Sequence, residues 1–394
     1  MKWLFAHDNR FYQASDGSVF SEVAFQYEDF ERYLEHTDEL IVLARLEEAP
    51  KNAPLDKWNL SSGPKMHFVR VPDPYGIRSF TPFPKEYHKV KNEVAQVDVV
   101  IARLPSEIGY MAVDAARELN KPYAIEVVGD AYGAMHTYGN LKGKLYAPFA
   151  QHKMKKRVFQ AKHVLYITER VLQEAYPTSG ASISCSNVEL QSVAQPDQIK
   201  ERIEQVLRPK EYLEIGMNGS LSSAYKGFDI ALEALAKAKP QIPPFRFTVV
   251  GKGDASKWEQ LAVQLGIQND VRFIGSIPHN KIFDWLKKID LFLMPSRTEG
   301  QGRALIEALS CGCPAIGASV GGIKELLKSE QLHEVNNSEQ LAQKIIEILN
   351  SPSCQMNDIE EAFETAKKFN IDELRQKRRQ FYGTLNPKTT RSKK

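Results

Sequence analysis

Two glutamates, Glu299 and Glu307, bracket a pair of glycines in the run Pro295-Ser-Arg-Thr-Glu-Gly-Gln-Gly-Arg-Ala-Leu-Ile-Glu307. The apolar stretch before it, Leu291–Pro295, reads as a buried strand, and Arg303–Ser310 reads as a helix. Gly300 and Gly302 let the backbone come close to a ligand. A helix N-terminus offers free N–H groups and about half a positive charge. Together these features favour an anion, and a pyrophosphate suits the place. Glu299, in the loop, can accept from sugar hydroxyls. Glu307, one turn into the helix, can accept from the hydroxyls of a ribose, as the acidic residue of a dinucleotide site does. Alone, two glutamates at this spacing are also what a solvated helix end looks like; the buried strand and the two glycines favour a site.

The elements around this run set where such chemistry can sit. Short apolar runs alternate with helical stretches through most of the chain, which predicts parallel sheets covered on both faces. In the first half, Lys2–Ala6, Asp98–Arg103, Tyr123–Val128 and His163–Thr168 read as strands, and Gly17–Tyr33 reads as a helix. The charged, proline-bearing stretch Lys200–Leu213 reads as a boundary. Alternation then restarts, with strands over Leu213–Asn218, Phe245–Gly251, Val271–Ile274, Leu291–Pro295 and Pro314–Ala318. Helices are expected over Phe228–Lys239, Trp258–Leu265, Lys281–Lys288, Arg303–Ser310, Gly322–Leu327, Ile359–Phe369 and Ile371–Phe381. Two doubly wound halves follow, at 1–205 and 206–370, then a last helix and basic tail at 371–394. Ligands of such sheets lie beyond the carboxyl ends of the strands.

The run from Glu299 to Glu307 resembles the glutamate–seven residues–glutamate signature of retaining glycosyltransferases of the large family 4. The segment Cys311–Leu327 is similar to that family too, and the resemblance is dense over Leu213–Leu327. It implies an α/β GT-B fold: two Rossmann-like domains facing across a cleft, the acceptor in the first and a nucleoside diphosphate sugar in the second. Met217–Gly227 resembles the family's first loop of the second domain, where an arginine and a lysine hold the donor phosphates. Lys226 matches the lysine, and Ser220 stands where the arginine is expected. A charge-assisted hydrogen bond contributes roughly 1.5–3 kcal/mol, so Arg303 or Lys252 is expected to supply the missing charge. Thr248–Asp254 places Gly251 and Lys252 beside the nucleotide, and Val271–Gly275 resembles the edge where the base rests, with Phe273 read equally well as core. Gly300, Gln301, Gly302, Arg303 and Ala304 complete the expected donor contacts. The resemblance also implies retention of configuration by front-face displacement, with Glu299 and Lys226 in the catalytic group. The chain has no Asp-x-Asp, and the lysine's charge implies that neither metal nor cofactor is needed.

The first half resembles the family loosely. Gly17, in Ser15-Asp-Gly-Ser18, is the best match to a glycine-rich loop after the first strand. Val128 occupies a position where many relatives carry a histidine. Asp130, just beyond, is the candidate on the acceptor side and in the catalytic group, weighed against a helix cap or turn residue. Glu126 and His136 are weaker candidates. Arg103 follows a strand and is placed on the acceptor side, while Ser106 reads as the cap of the next helix. The basic stretch Gln151–Lys162 has two readings, a contact with anionic lipid headgroups or a solvated charged helix face.

Bulk properties narrow the classes. The chain has 394 residues, 42% hydrophobic and 26% charged, with a net charge of +3. That is long enough for two cores, and the charge is too small to predict nucleic-acid binding. The four cysteines, Cys185, Cys311, Cys313 and Cys354, include no C-x-x-C pair. Cys311 and Cys313 read as small residues in a tight helix-to-strand turn rather than as metal ligands. The apolar N-terminal stretch is too short for a signal peptide, so a cytoplasmic protein is expected, with association at the inner face of the membrane left open by the basic segment. The partners implied are a nucleoside diphosphate sugar and a glycan or lipid-linked acceptor, as in the biosynthesis of a capsule or other surface polysaccharide. Two other classes share the doubly wound pattern. An NAD-dependent oxidoreductase wants a G-x-G-x-x-G after an early strand, which is lacking; a non-catalytic two-lobed sugar-binding protein of the periplasmic kind wants a signal peptide.

Overall fold

The computed structural model describes residues 1–22, 24–72, 84–137, 141–192 and 194–386. The basic tail Lys388–Lys394, expected to be disordered, lies outside them. In chain order the elements are β1 (Lys2–Gln13), β2 (Val19–Ser21), α1 (Tyr27–Leu34), β3 (Glu39–Glu48), β4 (Asn59–Leu60), β5 (Met66–Arg70), α2 (Pro84–Ala95), β6 (Val99–Leu104), α3 (Glu107–Glu118), β7 (Tyr123–Val127), α4 (Ala131–Thr137), α5 (Leu141–Phe159), β8 (His163–Tyr166), α6 (Val171–Ala175) and β9 (Ala181–Ser184). There follow α7 (Pro196–Leu207), β10 (Leu213–Asn218), α8 (Phe228–Ala238), β11 (Phe245–Val250), α9 (Ser256–Gln264), β12 (Val271–Phe273), α10 (His279–Leu286), β13 (Leu291–Met294), α11 (Arg303–Ser310), β14 (Ala315–Ala318), α12 (Ile323–Leu326), β15 (Leu332–His333), α13 (Ser338–Leu349), α14 (Pro352–Lys367) and α15 (Ile371–Gly383). They form two compact units. The first comprises Met1–Ala131, Pro148–Cys185 and Arg375–Lys394; the second comprises Tyr132–Ala147 and Ser186–Leu374.

In the first unit, parallel strands run in the order β5-β3-β1-β6-β7-β8-β9. Trp3, Leu4, Phe5 and Ala6 are all fully buried, as expected of a parallel strand covered on both faces. Beyond Ala6 the register of β1 shifts, and its second half pairs with antiparallel β2, which in turn pairs with β4. This corrects the helix expected over Gly17–Tyr33. Asp16 accepts from the Ser18 N–H at 2.9 Å and Gly17 has φ +89°, so the chain makes a hairpin there. The helix starts only at Tyr27, where Asp29 accepts from the Gln26 N–H at 3.1 Å in a capping box. Strands β3, β5 and β9 are additional to the sequence reading.

In the second unit the six parallel strands run β12-β11-β10-β13-β14-β15. The order reverses between β10 and β13, the switch point of a doubly wound sheet. The stretch Lys200–Leu213, read as a boundary, begins inside helix α7, and residues from Ser186 onward belong to this unit rather than from residue 206. The reason is Arg202, which is buried and donates to the carbonyls of Gly312 (3.2 Å), Lys287 (2.8 Å) and Ile289. Satisfying that many backbone acceptors with one buried guanidinium ties α7 to this sheet. Among the described residues, no helix is long and apolar enough to cross a membrane.

Candidate functional site

Four loops leave the carboxyl ends of β10, β11, β13 and β14, and glycines let them pack backbone against backbone. A Cβ on Gly251 would collide with the Gly219 carbonyl oxygen, one on Gly227 with the Pro295 carbonyl oxygen, and one on Gly321 with the Glu299 carbonyl oxygen. The Gly322 N–H donates to Gly300 O at 3.2 Å. No side chain fits between these segments, so the loops after β10 and β13 are fixed against each other at the switch point.

This packing brings Lys226 and Glu299 together from 73 residues apart. Lys226 Nζ donates to Glu299 Oε2 at 2.9 Å, and both side chains are mostly buried. Lys226 closes one 3₁₀ turn, Ala224–Lys226, before left-handed Gly227 caps α8. Gly302, also left-handed at φ +90°, caps α11, and its carbonyl accepts from the N–H groups of Leu305 and Ile306. The first N–H groups of α11 therefore belong to Arg303 and Ala304, on the same loop-to-helix turn as Glu299. Glu307 is buried one turn further on. Gln301 Oε1 accepts from Ser186 Oγ at 3.0 Å. Ser220, Lys252 and Arg303 are exposed, and among the described residues the Lys252 and Arg303 side chains have no ion-pair partner. Phe273 is half-buried and packs on the core with Val271. Cys311 and Cys313 occupy the α11–β14 turn, where Gly312 has φ +64°. Both are buried free thiols, pushed up to about 11 and about 12 by desolvation first.

Sequence reasoning passed over Arg297. Its guanidinium grips Asp229 with two bonds (2.6 and 3.1 Å) and donates to Ala224 O at 2.6 Å and Asn336 Oδ1 at 2.7 Å. Its own N–H donates to Tyr225 O at 2.7 Å. Arg297 thus holds the segment carrying Lys226 to the loop carrying Glu299. Its one sequence signal was its place in the loop that follows a buried strand.

On the first unit, Arg103 and Glu126 are cross-strand neighbours on β6 and β7. Glu126 is fully buried, and its Oε1 accepts from Tyr33 (2.6 Å) and Tyr382 (2.5 Å). Burial first, and then the Glu126 charge, push both phenols up. Arg103 stands 3.7 Å from Glu126 Oε2 and over the Phe25 ring. Near it, His7 is pushed down to about 3, first by burial and then by the charges of Arg103 and Arg45. Asp130 directly precedes α4 and accepts from the Tyr176 hydroxyl. Gly17 lies at the tip of the hairpin between β1 and β2. Ser106 caps α3 by accepting from the Gly109 N–H at 2.8 Å, and Asp8 accepts from the Ser106 hydroxyl (2.9 Å) and the N–H groups of Glu107 (2.6 Å) and Ile108 (2.8 Å).

Residues 198–368 match the family of glycosyl transferases group 1. Protein CapJ of Staphylococcus aureus is 26% identical over 378 residues, covering 95% of this chain and 93% of its own. The phosphatidylinositol N-acetylglucosaminyltransferase gpi3 subunit of Schizosaccharomyces pombe is 35% identical over 105 residues, 26% of this chain and 23% of its own. The crystal structure of Anabaena Alr3699/HepE in complex with UDP superposes with a TM-score of 0.67 at 19% identity, covering 98% of this chain and 100% of that one. The shared architecture is the GT-B fold.

Proposed function

We infer that this chain, whose residues 198–368 match the glycosyl transferases group 1, moves a sugar from a nucleoside diphosphate sugar to a glycan or lipid-linked acceptor with retention of configuration. The observation that carries the reading is the Lys226–Glu299 pair at the switch point, with Glu299 on the loop that leads into α11. Lys226 and the N–H groups of Arg303 and Ala304 face the pyrophosphate; Glu299 accepts from the sugar hydroxyls; Glu307 accepts from the ribose. As the bond from C1 to the phosphate oxygen breaks, negative charge grows on the phosphate, and Lys226 and α11 stabilise it. The acceptor oxygen bonds C1 on the same face, and its proton passes to the leaving phosphate. The exposed cations Lys252 and Arg303 supply the charge that Ser220 lacks. The UDP bound to Alr3699/HepE supports a uridine diphosphate sugar as the first donor to try. No step in this scheme uses a metal. Asp130 and Arg103 lie on the acceptor side of the reading.

The test is donor-dependent release of UDP or GDP in the presence of an acceptor extract, followed by proton NMR of the new anomeric centre. Retention with loss of turnover in Lys226→Met and Glu299→Gln supports the scheme. An inverted product rejects the front-face step, and a nicotinamide-dependent activity with no nucleotide release rejects the whole reading.

A further inference from the structure

We propose that Arg103 and His7, which share the ring of Phe25 at the carboxyl ends of β6 and β1, bind an anionic group of the acceptor, so that the sugar passes to a phosphorylated or carboxylated molecule rather than a neutral one. All three residues belong to the first unit. The inference rests on the acceptor reading above and names the acceptor's chemistry.

Arg103 is a mostly buried guanidinium whose donors are unused. Its side chain is 17% exposed, yet among the described residues none of its guanidinium N–H groups donates a hydrogen bond. Its carboxylate neighbour does not take them. Glu126 Oε1 accepts from Tyr33 and Tyr382, and Oε2, 3.7 Å from Arg103, accepts from no group among the described residues. Asp8, on β1, is committed to the Ser106 hydroxyl and the N–H groups of Glu107 and Ile108. Glu126 therefore compensates the buried charge without closing the fork. A guanidinium fork matches two oxygens of one phosphate or carboxylate.

His7 follows Ala6 as Arg103 follows Ala102, and those two alanines pair across β1 and β6. The rings of His7 and Phe25 lie 5.4 Å apart, and Arg103 Cζ is 5.1 Å from the Phe25 centroid. The Asn9 N–H donates to His7 Nδ1 at 3.0 Å, which puts the ring's own proton on Nε2. That Nε2–H has no acceptor among the described residues. Burial first, and then the charges of Arg103 and Arg45, keep the ring uncharged, so it is a donor beside the fork. Phe25 itself is strained. Its φ of +63° is left-handed, where a bulky residue is rare, and the rings of Phe5, Phe11 and Phe30 hold it at 5.8, 5.9 and 5.8 Å. Such strain gathers at binding sites; here it presents the ring on which both donors lie.

The test is calorimetry on the full chain, with saturating uridine diphosphate to fill the donor side. The probes are phosphorylated methyl glucoside, methyl glucuronide and methyl glucoside. At least one of the two anions should bind, and at least about tenfold more tightly than the neutral glucoside. Binding of the phosphate ester alone assigns a phosphate, and of the glucuronide alone a carboxylate. Arg103→Lys keeps a cation beside Glu126 but loses the fork; His7→Phe keeps a ring on Phe25 but loses the donor. Each should weaken anion binding about tenfold. Equal binding of all three probes overturns the proposal, as does failure of both anions to bind, or full anion affinity in both variants. So does anion binding that uridine diphosphate abolishes, which would place the anion on the second unit. Anion binding that depends on Arg103, in a chain that takes up no uridine diphosphate, would overturn the donor reading and leave this site standing.

Discussion

Substituting Gly321 by alanine tests whether Glu299 works through its position. A Cβ there would come within 1.7 Å of the Glu299 carbonyl oxygen, far inside van der Waals contact, and one backbone segment would have to retreat by about 1 Å or more. Gly321 carries no side chain and belongs to the loop before α12, so the change touches neither carboxylate nor lysine. Moving Glu299 by that much stretches its 2.9 Å bond to Lys226 and displaces the carboxylate from the sugar. A misplacement of about 1 Å costs on the order of 100-fold in rate, about 2.7 kcal/mol. Left-handed backbone is a second cost, since Gly321 has φ +49° and a side chain there costs about 1–2 kcal/mol in stability. Gly266→Ala separates the two effects. Gly266 has φ +70° but open space around its Cβ position, so it bears the backbone cost alone. Thermal denaturation and nucleotide-release kinetics on both variants read the outcome. Both should lose stability; only Gly321→Ala should lose kcat by about two orders of magnitude. Equal kcat in folded Gly321→Ala and Gly266→Ala protein would refute the claim that this close approach places Glu299.

Arg297→Lys keeps the charge and loses the fork that holds Asp229, Ala224 and Asn336 together; kcat should fall about tenfold with little change in melting temperature, and steady-state kinetics check it. Arg303→Ala and Lys252→Ala together should weaken donor binding, read as a smaller melting shift with saturating UDP-sugar; an unchanged shift leaves the phosphates to Lys226, the N–H groups of α11 and a neutral bond from Ser220. His7 is held below its ordinary 6.5, at about 3, so the unfolded chain binds the extra proton. Its contribution to stability is full above pH 6.5 and is lost as pH falls toward 3. His7→Gln should therefore lower the proton slope of unfolding in that window, measured by urea titration across pH. Of the four thiols, exposed Cys354 should react alone with a thiol reagent in the folded protein, counted by mass spectrometry, because Cys185, Cys311 and Cys313 are buried.

Local pattern reached most of the second unit. Its strands are short and largely apolar, and helices alternate with them, so periodicity placed β10, β11, β13 and α11 within a residue or two, while α7, β15 and α13 went unread. Glu299, Glu307 and the two glycines were legible as one candidate site because they lie within one strand–loop–helix. The first unit yielded less, because β1 changes partners halfway along, from β6 to β2, and pairing is a long-range choice that no local run encodes. That Lys226 meets Glu299 was decided by tertiary structure alone. It depends on strand order placing β10 beside β13, and on glycines 219, 227, 251 and 321 removing the side chains that would hold the loops apart. The role of Arg297 was decided in the same way. An arginine's partners and a helix's buried face are properties of what surrounds them, and a sequence read one residue at a time holds neither.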